Sequence, residues 1–152
     1  MTSNGPLAPD QHRAMAAATF NRCWELLETA ERTNDQNREL LTAAFTSRYH
    51  WSTIGGDEQL ITSDWMVSRA AGAVGEARLS VAYAKLANEA AEQATVPDWL
   101  LASTAEGLAR AWRTAGDVNQ SREWAARAAA LVQGIEDDES RGLIAGQLAD
   151  LL

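Results

Sequence analysis

Val74-Gly75-Glu76 and Ala115-Gly116-Asp117 repeat one kind of turn, and Thr33-Asn34-Asp35 extends the series toward the amino terminus. The spacing is constant: 75 − 34 = 41 and 116 − 75 = 41. Within each pair, Asn or Gly tolerates the left-handed conformation that ends a helix, and the acidic residue after it suits the positive start of the next. A regular interval of this size, with helical stretches on both sides of every turn, predicts stacked helical hairpins.

Working outward, each turn is flanked by apolar residues at helical spacing. Phe20, Trp24 and Leu27 recur four and three apart and define a first helix that opens at Pro9-Asp10 and ends near Asn34. A second runs from Asp35 to the residues before Gly55-Gly56, a third from Asp57 to Gly75, and a fourth from Glu76 to Thr95-Val96-Pro97. Proline disfavours helix in the residue before it, so Pro97-Asp98 opens the fifth, which reaches Gly116. The sixth spans Asp117 to Gly134, and a seventh, from Asp137 to Leu152, serves as the cap that a terminal repeat needs. Between the second and third units the repeat is legible side chain by side chain. Arg69 matches Arg110, Ser80 matches Ser121, Tyr83 matches Trp124, and Ala84 and Ala87 match Ala125 and Ala128.

Composition agrees. The chain has 152 residues, 46% of them hydrophobic, which is enough for one domain with its own core. We expect residues 1–9 to be a flexible leader and 10–152 to form a single domain. The net charge of −8 opposes binding to nucleic acid or to anionic membranes, and it would steer a cationic ligand toward the surface. A single cysteine, Cys23, leaves no internal disulfide and fits a reducing compartment, so a cytoplasmic location is expected. No stretch has the length and apolarity of a membrane span. Two histidines, His12 and His50, are too few for a multi-histidine metal site, and no phosphate loop, paired-cysteine motif or nucleophile elbow occurs. No cofactor is expected.

Chemistry is expected at three places. Ser47-Arg48-Tyr49-His50-Trp51 closes the second helix with an acid–base group, a guanidinium and two flat rings. The alternative is that Arg48 and His50 complement the helix end while the aromatics join the core. Asp64-Trp65 and Asp98-Trp99 place two tryptophans on the odd-numbered helices, the series expected to line a concave face. Beside carboxylates they would suit a cation or planar ring, or else act as wedges between repeats. Arg69, Glu106 and Arg110 are charged residues on tracks of small side chains. Glu106 and Arg110 are four apart and can pair, and Arg69 one unit earlier can reach across.

From Thr42 to Leu151 the chain resembles an uncharacterised bacterial family of tetratricopeptide-like proteins. The resemblance rests on Ser47 to Trp51, Trp65 with Ser68-Arg69, Asp98-Trp99, Glu106 to Ala111, Gly116-Asp117 and the acidic run ending at Arg141. Two family features are missing: Leu100 stands where the family has a carboxylate, and Ala70 to Ala73 replace its aromatic. The resemblance implies a fold and no activity. The expected architecture is therefore all-α: a tetratricopeptide-like stack of three antiparallel hairpins plus a capping helix.

The leading functional expectation is a binding module that holds a small organic molecule or short peptide in a concave, Trp-lined, acidic groove. Arg48, Tyr49, His50, Trp51, Trp65, Arg69, Trp99, Glu106 and Arg110 would be its contacts. A cofactor-independent enzyme with His50 and Glu106 as acid–base partners is the first alternative. A protein–protein scaffold is the second. Open solenoid ends tend to pair, so a homodimer is also expected.

Overall fold

A computed structural model describes residues 6–152. It contains seven helices and, among the described residues, no strand: α1 (Pro9–Glu28), α2 (Asn34–Ile54), α3 (Asp57–Ala73), α4 (Ala77–Gln93), α5 (Asp98–Thr114), α6 (Val118–Gln133) and α7 (Asp138–Leu148). The first five residues of the expected leader lie outside the described residues, and residues 6–8 are exposed and outside any helix.

Helices α1 and α2, α3 and α4, and α5 and α6 pack as hairpins, and successive hairpins meet through α2 against α3 and α4 against α5. The odd helices also touch in series: α1 meets α3, α3 meets α5, and α5 meets α7. No close backbone approach joins α2 to α4 or α4 to α6. There the gap is bridged by long side chains, as where Phe45 meets Tyr83 edge-on at 5.6 Å between ring centroids. This packing is consistent with a stack of helical hairpins, with the odd helices forming one continuous row.

Two of the three expected turns share one construction. Gly75 and Gly116 have φ of 86° and 81° and are the positive-φ residues of the chain's described part. At the first turn, Glu76 N donates to Ala71 O at 2.9 Å and Gly75 N to Gly72 O at 3.2 Å. Forty-one residues on, Asp117 N donates to Trp112 O and Gly116 N to Arg113 O, both at 3.0 Å. These paired bonds are the Schellman closure, which needs a left-handed residue that glycine adopts without strain.

The Asn34-Asp35 pair is not a third copy. α1 ends at Glu28 instead of near Asn34, and Asn34 is already helical, preceded by Thr33 as the cap. Thr33 Oγ1 accepts from Gln36 N, while Gln36 Oε1 accepts from Thr33 N, a reciprocal capping box. A side chain does the work of glycine here. The Arg32 guanidinium donates to Leu26 O and Thr29 O near the end of α1, and to Ala73 O at the end of α3. Carbonyls left over by helix geometry are thus satisfied from outside the backbone.

Inside the hairpins, small residues allow close approach. Ala84, Ala87, Ala125 and Ala128 are all buried. Ser80 Oγ donates to Ser68 O at 2.9 Å, and Ser121 Oγ to Ala109 O at 2.9 Å, the same tie one unit later. Helices α3 and α5 each have neighbours on several sides. Residues 63–68 and 104–109 are accordingly buried without a break.

Candidate functional site

The row of odd helices carries a strip of aromatic and charged side chains that crosses α1, α3 and α5 and reaches the backbone of α7. Trp24 of α1 and Trp65 of α3 lie with centroids 5.8 Å apart, tilted by 43°. Arg69, one turn after Trp65, rests its guanidinium carbon 5.9 Å from the Trp24 ring and 5.8 Å from the Trp65 ring. Such placement favours the cation through both ring faces. Next comes Glu106 of α5, which is wholly buried. Its Oε1 accepts from Arg110 Nε at 2.7 Å and lies 3.8 Å from Arg69 Nη1. Arg110 finally reaches α7, donating from Nη2 to Gln147 O at 2.9 Å.

The expected link of Arg69, Glu106 and Arg110 is therefore present, with an asymmetry that the spacing did not reveal. Arg110 holds the carboxylate tightly and Arg69 stands off. Arg69 Nη1 and Glu106 Oε2 are buried with no hydrogen-bond partner among the described residues. Burial lowers the Arg69 pKa below the usual arginine value, the neighbouring Arg110 charge adds to the effect, and Glu106 opposes it.

Two clefts open beside the strip and share Trp65 as a wall. The first, of ≈ 340 Å³, is lined by Ser68, Gly72, Thr114 and the guanidinium groups of Arg32, Arg69 and Arg110. The second, of ≈ 260 Å³, is lined by Phe20, Trp24, Trp65, Trp99, Leu143 and Ile144 with a few neutral polar groups. No carboxylate lines either one, so the expected acidic character of the groove is corrected: one cleft is cationic and the other uncharged. The reason is helix geometry. Successive residues diverge by about 100° around the axis, so the aspartates before each tryptophan face elsewhere. Asp64 pairs with Arg48 at 2.9 Å, and Asp98 is exposed.

Trp65 and Trp99 line one cleft, and Trp24 joins them there. Trp65 is only 8% exposed and is also a wedge between repeats. Its Nε1 donates to Ser103 O at 3.2 Å, and the ring lies over Gly107, where an added Cβ would meet Cδ1 at 2.9 Å.

The Ser47 to Trp51 stretch does not join this face. Ser47 Oγ donates to Ala16 O of α1, and Arg48 reaches Asp64 of α3. Trp51 lies under the Arg13 guanidinium at 5.9 Å, and Tyr49 is 64% exposed. His50 is buried and its Nδ1 lies 2.8 Å from His12 Nδ1, across the first hairpin. His50 and Glu106 thus have separate partners and make no acid–base pair. The four motif residues assigned to ligand contact, Arg48, Tyr49, His50 and Trp51, instead fan out around α2, three of them tying it to its neighbours.

Cys23 is fully buried, and burial pushes its thiol up to about 11. Among the described residues, no three His, Cys, Asp or Glu side chains are grouped to hold a metal, and no helix is long and apolar enough to cross a membrane. Compared with known proteins, the chain matches no family model, and no curated protein matches it in sequence.

Proposed function

We propose that this chain is a tetratricopeptide-like stack acting as a non-enzymatic binding module, with a small organic molecule seated on the face formed by its odd helices. One observation carries the reading. Tryptophans from α1, α3 and α5 converge on one uncharged cleft beside a second cleft rich in guanidinium groups. Pockets that bury small ligands combine mostly apolar walls with a few placed polar groups. A short peptide end is the alternative occupant of the same face. The enzyme reading has less support, because His50 spends its Nδ1 on His12 and Glu106 holds Arg110. A cytoplasmic setting suits the lone buried thiol of Cys23.

Trp99→Ala tests the proposal. Trp99 is half-buried and lines the uncharged cleft without the backbone hydrogen bond that anchors Trp65. Small aromatic ligands should quench the wild-type tryptophan emission on titration. The variant should lose that binding while keeping a cooperative thermal transition. Equal affinities in the two proteins would refute the assignment of this cleft.

A further inference from the structure

We propose that the ligand of this face is a monocarboxylate with an apolar body, its carboxylate held by Arg69 and its body among Trp24, Trp65 and Trp99. The inference deepens the binding-module reading and rests on it.

Three guanidinium groups line the cationic cleft, and two of them are already engaged. Arg32 donates to Asn37 Oδ1 and to the carbonyls of Leu26, Thr29 and Ala73. Arg110 donates to Glu106 Oε1 and Gln147 O. Arg69 differs from both. It lies against two indole rings, its Nη1 is buried without a partner, and its ion pair with Glu106 is long at 3.8 Å. An unpartnered buried donor is costly, the Arg69 side chain is only partly buried, and a fork of N–H groups matches a carboxylate in shape and charge.

The charge count agrees. Arg69, Arg110 and Glu106 sum to +1, and Arg32, whose partners are all neutral, brings the cleft to +2, so it favours an anion. Trp65 lines both clefts, which puts the Arg69 head group next to the uncharged pocket. A ligand that bridges them carries its charge at one end and an apolar body at the other. One carboxylate suffices for the one buried arginine donor left without a partner, on Arg69, and a cation meets three arginines.

Calorimetric titration with 4-phenylbutanoate, 2-naphthoate and octanoate, each beside its neutral amide, tests this in wild type, Arg69→Met and Arg69→Lys. The acids should bind wild type about tenfold or more tighter than their amides, the scale of a charge-assisted contact. Arg69→Met should erase that preference while leaving the amides within about twofold, and Arg69→Lys should retain part of it. Acids and amides binding wild type equally would overturn the carboxylate assignment and leave the pocket standing. So would a preference that survives in Arg69→Met. If neither acids nor amides bind, the pocket reading fails and this inference with it. Should the methionine variant not fold, the wild-type pairs and the lysine variant still decide the question.

Discussion

Gly107 has no side chain where an indole needs room. A Cβ there would stand 2.9 Å from Trp65 Cδ1 and 3.1 Å from its Nε1, so Gly107→Ala forces the ring off α5 and strains its bond to Ser103 O. We expect a loss of about 1–3 kcal/mol in urea unfolding, with a shifted tryptophan emission. Gly142 of α7 should behave oppositely. Nothing lies within 4 Å of the added carbon, and alanine favours the helix by roughly 0.5–1 kcal/mol, so Gly142→Ala should stabilise. Cys23 gives a prediction in pH. Its folded value near 11 stands above the 9.0 of a free thiol, so the native state holds the proton longer than the unfolded chain. The stability from this group is complete below pH 9 and fades as pH rises through about 11, roughly 2–3 kcal/mol in all. Cys23→Ala should flatten that alkaline decline. An identical slope in both proteins would exclude the thiol as its source.

Within a hairpin, the serine ties mark where two helices lock. Ser80 Oγ donates to Ser68 O while Ser68 Oγ returns a bond to Ser80 O at 2.7 Å, and Ser121 makes the corresponding bond in the next unit. Ser80→Ala and Ser121→Ala should each cost about 1 kcal/mol, and because they lie in different hairpins the double variant should show the sum. A coupling well beyond about 0.5 kcal/mol would show that the hairpins do not lock independently. What the sequence disclosed at this scale depends on how local the cause is. The turns at Gly75 and Gly116 were legible because a left-handed glycine is a local requirement. The Glu106–Arg110 pair was legible because four residues make one helical turn. The end of α1 was misread at Asn34, since Arg32 closes it with a side chain that also reaches Ala73 O in another hairpin. The contact between His12 and His50 depends on the register of α1 against α2, which no residue spacing announces. The run from Ser47 to Trp51 looked like a site because its residues are consecutive, and on a helix consecutive residues point apart.

Across the whole molecule, burial concentrates in the middle of the odd row. α3 and α5 contribute the longest unbroken buried stretches, while α1 and α7 each lie at an end of the row. Amide exchange should therefore be slowest in α3 and α5 and fastest in α7. Uniform protection along the chain would mean that the stack opens only as a unit. The two glycine turns have a consequence for how such a chain grows. Residues 75–115 begin with one Schellman joint and end just before the next, 41 positions on, and the space around both glycines is open to 4 Å. An in-frame duplication of that segment would arrive with its own joint, its own serine tie and its own Arg110, and would extend the row by one hairpin. The row of odd helices lengthens by whole units, so gene duplication alone can change its reach without redesigning a single turn.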